Sequence, residues 1–187
     1  SINYLRISVT DRCNLRCTYC MPEDGIRLLD HSDILSFEEI ADFTRIAVAN
    51  GITKVRLTGG EPLVRKGIVE LVAMLASIDG LEDLSMTSSG ILLSKYAVDL
   101  KNAGLNRINI SLDTVNPDNY CQITRNGELT QVLEGIEAAQ KVGLEPIKIN
   151  CVLLGQPDHE TQRLKEFCAT RGLKLRFIHQ MNLKTGE

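Results

Sequence analysis

A chain of 187 residues, 43% hydrophobic and 24% charged, is long enough for one globular domain with a continuous core. Its formal net charge of −3 at pH 7 does not predict nucleic acid or an anionic membrane as a partner. No apolar run approaches the length that a bilayer requires, and the start, SINYLRISV, lacks the pattern of a signal peptide.

Six short strand-like runs follow one another along the chain, separated by segments with helical spacing. In chain order they are YLRISV, ITKVRLT, LEDLSMT, LNRINISL, LEPIKINCVL and LKLRFI. Each run after the first follows a glycine at which we expect a helix to end, because glycine adopts the left-handed C′ conformation at little cost. These glycines are Gly51, Gly80, Gly104, Gly143 and Gly172. Strand and helix in alternation predict a parallel sheet with right-handed crossovers in one domain, residues 1–187.

The starts of several helices carry recognisable caps. Ser36 and Glu39 form a predicted capping box ahead of an apolar helix face. That face comprises Ile40, Phe43, Ala47 and Val48. Asn116 followed by Pro117 is typical of an N-cap and a first helical residue. We expect Asp158 to cap the helix that runs to about residue 171.

All six predicted strands alternate apolar and polar side chains, whereas parallel strands covered on both faces are apolar throughout. The first strand, for example, sets Leu5 and Ile7 against Arg6 and Ser8. One face can therefore pack on helices while the other stays wet or binds a ligand. A closed eight-stranded barrel fills its interior with branched apolar side chains. We therefore expect an α/β fold built as an incomplete, open (βα)6 parallel barrel, a partial TIM barrel with a solvated lumen. A sheet with one face simply exposed to water is the alternative.

Cations lie on the polar faces of four different predicted strands: Arg6, Arg56, Lys148 and Arg176. If they converge on the lumen, they suit a polyanionic ligand such as a phosphate ester. Any one of them could equally belong to a structural ion pair, so the shared face is the informative part.

Three cysteines, Cys13, Cys17 and Cys20, lie in the loop after the first strand, at the rim where barrel enzymes keep their chemistry. Thiolates at such short spacing suit zinc or an iron–sulfur cluster. Both usually need a fourth ligand, and the nearest extra candidate is His31. With three thiolates, one metal position stays open, and an open position is where substrates bind. We expect the remaining cysteines to be ordinary buried thiols: Cys121, Cys151 and Cys168.

A cysteine triplet of this kind is more typical of metal chemistry in a reducing compartment than of a secreted disulfide framework. We therefore expect a cytoplasmic protein.

The segment CNLRCTYC resembles the cluster motif of the radical S-adenosylmethionine (SAM) superfamily, with aromatic Tyr19 before the last cysteine. The segment TGGEP, residues 58–62, resembles the loop that receives the amino group of SAM in that superfamily. Gly59 and Gly60 would allow close backbone approach, and Glu61 offers a negative partner for an ammonium group. The resemblance implies a [4Fe–4S] cluster held by the three cysteines, with SAM on the fourth iron. One electron from a donor such as flavodoxin or ferredoxin would cleave SAM to methionine and a 5′-deoxyadenosyl radical that abstracts hydrogen.

The chain also resembles, over nearly its whole length, the GTP 3′,8-cyclase family of lyases in molybdenum cofactor biosynthesis. The matching segments include YLRISVTDRCNLRCTYCMPE, KVRLTGGEPLVRK, MTSSG, INISLDT, KINCVL and LRFIHQM. This resemblance implies SAM contacts at Tyr19, Gly60, Ser111 and Met181. It implies GTP contacts at Arg6, Arg56, Thr87, Lys148 and Arg176. All of these GTP positions except Thr87 are the cations selected above by strand alternation. A homodimer is compatible with the resemblance.

The chain departs from this family at Ser89, where asparagine is usual, and at His179, where an acidic residue is usual. The family also carries a second three-cysteine cluster, beyond the barrel, that holds guanine. The 187 residues of this sequence contain no second cysteine triplet. The chain is then either the N-terminal part of a longer protein or a relative with another substrate. We expect it to bind SAM but to convert GTP poorly.

Three other interpretations stay open. A zinc-stabilised binding module explains only the cysteines, and a ferredoxin-like electron carrier lacks its fourth thiolate. A radical SAM peptide-modifying maturase shares the cluster motif and the glycine loop, but the inward cations favour a nucleotide triphosphate over a peptide.

Overall fold

A computed structural model describes residues 2–179, which form a single six-stranded sheet flanked by helices. The strands are β1 (Tyr4–Ser8), β2 (Lys54–Thr58), β3 (Asp83–Ser88), β4 (Arg107–Ser111), β5 (Lys148–Leu153) and β6 (Lys174–His179). The helices are α1 (Phe37–Ala49), α2 (Ile68–Ala76), α3 (Leu93–Asn102), α4 (Pro117–Thr124), α5 (Leu129–Lys141) and α6 (Asp158–Thr170). Every predicted strand is present.

The sheet is parallel and its strands lie in the order of the sequence, β1 to β6. The two outer strands do not pair with each other in residues 2–179, so the barrel is open. The apolar face of the inner strands is fully buried against the helices, as Val55, Met86 and Ile110 show, and that of the outer strands β1 and β6 is partly buried. The opposite face carries the polar side chains. The predicted partial (βα)6 barrel is therefore confirmed.

The ends of the helices follow the glycine pattern with one exception. Gly51, Gly104, Gly143 and Gly172 each come directly after a helix C-cap and have positive φ angles. Gly80 also has a positive φ of 92°, but α2 ends earlier, at Ala76. Two hydrogen-bonded turns follow α2 around Gly80. In the first, the amide of Ile78 donates to the carbonyl of Leu75, and in the second the amide of Leu81 donates to the carbonyl of Ile78.

Two predicted caps are confirmed and one is wrong. Ser36 and Glu39 form the reciprocal capping box, and the Asn116 side chain accepts two amide hydrogen bonds at the start of α4. Asp158 is instead the first residue of α6, after Pro157, and makes no side-chain cap. Proline fixes the extended backbone that an N-cap residue needs, so the helix starts one position earlier than predicted.

Two burial predictions are also wrong. Phe43 is 55% exposed, because the inward stripe of α1 runs through Ile40, Ala41 and Thr44 at helical spacing. Cys121 lies on the outer surface of α4 and is exposed. Cys151 and Cys168 are buried, as predicted. No helix in the described part of the chain is long and apolar enough to cross a membrane.

Candidate active site

Most of the predicted site residues line one cavity of about 250 Å³ at the carboxyl ends of β1 to β4. The cysteine triplet reaches it from the cluster loop, residues 10–23, which has no regular helix or strand. The predicted residues in its lining are Arg6, Cys13, Cys17, Tyr19, Cys20, Gly59, Gly60, Glu61, Thr87 and Ser111. Arg56, Lys148 and Arg176 do not line it but lie on the same face of the sheet, at the register levels of the lining residues Arg6, Thr87 and Ser111 respectively. Met181 lies outside the described residues.

The two glycines of TGGEP hold the start of the cluster loop. The amide of Gly60 donates to the carbonyl of Thr10 at 2.8 Å, and that of Glu61 donates to the carbonyl of Arg12 at 2.8 Å. A methyl group on Gly60 would overlap the Arg12 carbonyl. The glycines thus allow close backbone approach, as predicted, but the partner seen in the structure is the chain's own loop.

Glu61 is 1% exposed and ties the end of β3 to this loop. Its carboxylate accepts hydrogen bonds from the Ser88 hydroxyl at 2.8 Å and from the amides of Ser89 at 2.6 Å and Leu63 at 3.2 Å. Burial raises the pKa of Glu61, and these donors oppose the rise. A carboxylate has about four acceptor positions, so Glu61 keeps capacity for one donor from the cavity.

The three thiols of the cluster loop lie in a setting that disfavours free thiolates. Burial raises the pKa of Cys17 to about 12, and the neighbouring Cys20 thiol adds to the rise. Burial also raises the pKa values of Cys13 and Cys20. Such thiols ionise at neutral pH only when a cation compensates for the lost hydration, as bound metal does.

The donor set fits an iron–sulfur cluster better than a single ion. In residues 2–179 no three His, Cys, Asp or Glu side chains lie close enough to hold one metal ion. His31, the candidate fourth ligand of a zinc site, lines a different cavity with Thr10 and Arg12. The thiols of a cluster bind separate irons and can therefore lie further apart. The cavity also contains the buried hydroxyls of Ser89 and Tyr120, which have no partner among the described residues.

Asp113, which sequence reasoning did not assign, joins the cluster loop to β4 and β5. Its carboxylate accepts from the Tyr19 hydroxyl at 2.8 Å and from the Val152 amide at 2.7 Å. Burial raises the pKa of Asp113, and both donors oppose the rise. The sequence feature that could have indicated Asp113 is its position on the polar face just after β4.

The lumen face of the sheet is strongly cationic, as predicted. Arg6 and Arg56 are paired in register on β1 and β2. Burial lowers the pKa of Lys148, and the guanidinium groups of Arg107, Arg176 and Arg56 lower it further. Burial likewise lowers the pKa of Arg56.

Arg107 is a lumen cation that the sequence analysis left out. Its guanidinium donates to both oxygens of Asp83, with 3.0 Å from Nε to Oδ1. Arg107 and Asp83 thus form a structural ion pair. The alternation of side chains along a strand cannot by itself distinguish such an arginine from one that contacts a ligand.

Comparison with known proteins shows the family of the chain. The pattern of the Radical SAM superfamily matches residues 7–168. The chain belongs to the radical SAM superfamily. Its cofactors are accordingly SAM and an iron–sulfur cluster. A GTP 3′,8-cyclase from Petrotoga mobilis is 53% identical over 182 residues, which are 97% of this chain and 56% of that protein. One from Peptoclostridium acidaminophilum is 54% identical over 187 residues, 100% of this chain and 58% of that protein. The radical SAM chain thus spans a little over half the length of these curated relatives.

Several solved structures share the fold. Streptococcus suis SuiB bound to precursor peptide SuiA superposes with a TM-score of 0.81 at 18% identity, over 96% of this chain and 39% of SuiB. Native anSMEcpe with bound AdoMet gives a TM-score of 0.77 at 18% identity, over 98% of this chain and 53% of that one. At such low identity these likenesses show the partial barrel alone.

Proposed function

We propose that Cys13, Cys17 and Cys20 hold a [4Fe–4S] cluster whose fourth iron binds SAM, and that this radical SAM site acts on GTP as a 3′,8-cyclase of molybdenum cofactor biosynthesis. The observation that carries the proposal is a single continuous surface. The thiols and the glycine loop line one cavity, Arg6 lines it too, and Arg6 is in register with Arg56 in the cationic lumen. When bound, the reduced cluster and SAM supply a radical that removes a hydrogen atom from the substrate.

The chain's own residues would hold SAM at the cavity beside the lumen. Gly59, Gly60 and Glu61 would offer a backbone turn and a carboxylate to the methionine amino group. Ser111, at the end of β4, and Tyr19 line the same cavity. These assignments are supported by their shared cavity and by the family motif. Met181 is proposed on the motif alone.

The lumen would hold the triphosphate of GTP. Arg6, Arg56, Lys148 and Arg176 lie on the same face of four strands, and Thr87, which lines the cavity as Arg6 does, adds a hydroxyl. Burial lowers the pKa of Lys148, and repulsion from the neighbouring cations lowers it further. A bound polyanion would relieve this repulsion. This charge favours a nucleotide triphosphate over a peptide substrate. The relatives named as GTP 3′,8-cyclases support the same choice.

The cofactor assignment is tested by anaerobic reconstitution of the chain. We expect about four iron and four sulfide per chain, and a change in the electron paramagnetic resonance (EPR) spectrum of the reduced cluster when SAM is added. A C20A variant should lose the cluster. Zinc in place of iron, with no response to SAM, would contradict the assignment.

The substrate assignment is tested by charge reversal at Lys148 and Arg176. We expect K148E and R176E to abolish GTP binding by calorimetry while cleavage of SAM without substrate survives, since neither residue lines the SAM cavity. K95E is the matched control, because Lys95 is an exposed residue of α3 outside the lumen. If K148E binds GTP as tightly as the parent does, the phosphate site is wrong.

We also propose a cytoplasmic location, because the cluster and the free cysteines need a reducing compartment. A one-electron donor such as flavodoxin or ferredoxin would reduce the cluster, and the chain would form homodimers. These proposals follow from the resemblance to the cyclase family.

A further inference from the structure

The cluster loop is held against the barrel by the end of helix α4. The amide of Arg16 donates to the carbonyl of Thr124 at 3.1 Å, and the amide of Thr18 donates to the carbonyl of Ile123 at 2.9 Å. The last carbonyls of a helix have no partner within it, so the loop supplies donors that the helix end needs. The loop itself contains no helix or strand to fix its shape.

Arg125, the residue directly after α4, completes this attachment with its side chain. One guanidinium nitrogen, Nη1, donates to the carbonyl of Arg16 at 2.8 Å and to the carbonyl of Met21 at 3.0 Å. These two carbonyls lie on either side of Cys17 and Cys20 in the sequence. A single charged group therefore spans the part of the loop that carries two of the three thiols.

The backbone of Arg125 is strained at the same place. Its φ of 65° and ψ of −31° make it the only residue other than glycine with a positive φ in the described part of the chain. Side chains rarely adopt this region, and strain of this kind persists where the surroundings over-determine it and concentrates at functional sites. Glycine would adopt this backbone more easily, so the arginine is present for what its side chain does.

Arg125 acts on the site from outside. It does not line the cavity that holds the thiols, and lines instead an open surface hollow with Asp118 and Cys121. It therefore has no direct contact with a ligand in that cavity. Among residues 2–179, its side-chain hydrogen bonds reach only the backbone of the loop and not a thiol.

We propose that Arg125 is a positioning residue that sets the separation of Cys17 and Cys20 and so governs how firmly the chain retains its cluster. The inference rests on the proposed function, in which these thiols bind the cluster. Groups that hydrogen-bond a metal ligand change metal affinity about 10- to 100-fold in other sites. Arg125 bonds the backbone on both sides of two thiols, so we expect an effect at the lower end of that range.

The test compares cluster retention in the reconstituted chain and in R125M and R125K. Methionine keeps much of the length of the side chain but cannot donate, whereas lysine keeps donors that can reach a carbonyl. We expect iron release to a chelator to be at least about tenfold faster in R125M, with R125K between R125M and the parent. We also expect a broadened EPR signal of the reduced cluster in R125M, which loss of stability alone would not produce.

R171M is the matched control, because Arg171 occupies the same position after α6 but is exposed. Among residues 2–179 its guanidinium hydrogen-bonds only the Thr170 hydroxyl and stacks on the Phe167 ring, both within its own helix. R171M should release iron at the parent's rate. If circular dichroism shows that R125M does not fold, R125G replaces it, since glycine suits the backbone. If the folded Arg125 variant releases iron at the parent's rate while C20A still loses the cluster, the inference is overturned. The proposed function is then unaffected. A parent chain that binds no cluster overturns both.

Discussion

At the scale of single residues, the bond from Tyr19 to Asp113 shows how the fold keeps a carboxylate beside three thiols. Asp113 is 7% exposed, and its pKa is raised by burial. Its ionised form therefore destabilises the folded state at neutral pH, and this effect disappears as the pH falls through the raised pKa and the carboxyl takes up a proton. The Tyr19 hydroxyl and the Val152 amide reduce the effect by hydrogen bonding to the charged form.

We predict that Y19F lowers the free energy of unfolding by about 1–2 kcal/mol at pH 7, because a buried charged acceptor loses a donor. The loss should shrink as the pH is lowered, since the mutation raises the pKa of Asp113 further and protonation removes its charge. Urea unfolding at several pH values between 5 and 8 measures this.

Y4F is the matched control for Tyr19. The hydroxyl of Tyr4 is buried without a partner among residues 2–179, so its removal should cost nothing at any pH. A Y19F effect that stays constant with pH, or that grows toward low pH, would contradict the role assigned to Asp113.

At the scale of elements, the decisive contact is between the ends of β1 and β2. Gly60 packs directly on the backbone of Arg12, with no room for a methyl group. We predict that G60A destabilises the chain by about 2–3 kcal/mol, because the overlapping atom is backbone and cannot rotate away. The displaced cluster loop should also bind less iron on reconstitution.

G155A separates this steric effect from the general strain of replacing a glycine. Gly155 has a φ of 78°, and apart from its chain neighbours no atom of residues 2–179 lies within 4 Å of the position that a methyl group would occupy there, so alanine costs only backbone strain, about 1–2 kcal/mol. G155A should therefore keep its full iron content. Equal iron content in G60A and G155A would show that Gly60 does not position the loop.

Some features of the strands and helices are determined by short-range sequence patterns, and others are not. Alternation within each strand predicted all six strands and the cationic face, because strand side chains alternate by local geometry alone. The cap at Ser36 was equally local. The predicted cap at Asp158 was wrong because Pro157 fixes the start of α6. The predicted burial of Phe43 was wrong because the rotation of α1 about its axis is set by packing.

The candidate site shows the same division. Its cysteines and glycines form short motifs and were predicted directly. The pairing of Arg107 with Asp83, and the grip of Arg125 on the loop, join residues distant in sequence. Neither contact has a spacing that a pattern could detect. Glu61 lies between these cases, since its motif was recognised while its bonds to Ser88 and Ser89 were not.

At the scale of the whole molecule, the distribution of charge matters more than its sum. The chain is acidic overall, with a net charge of −3, yet its lumen gathers cations from separate strands. These cations are Arg6, Arg56, Arg107, Lys148, Lys174 and Arg176, with Asp83 as a paired carboxylate. Repulsion among them opposes folding, and a multivalent anion in the lumen should offset it.

We predict that tripolyphosphate stabilises the reconstituted chain far more than orthophosphate at equal ionic strength. At 100 times its dissociation constant a ligand adds about 2.7 kcal/mol, which corresponds to a rise of about 5–10 °C in the thermal midpoint for a chain of this size. The effect should weaken at high salt because the lumen is open and partly screened. The double variant K148M/R176M should respond little to tripolyphosphate, because two of the cations that would bind it are gone. Without the anion, it should melt at or above the temperature of the anion-free parent, because removing two cations also reduces the repulsion in the lumen. K95M, on the outer face of α3, should respond as the parent does. A double variant that responds fully would mean that the anion binds elsewhere and that the lumen cations have another role.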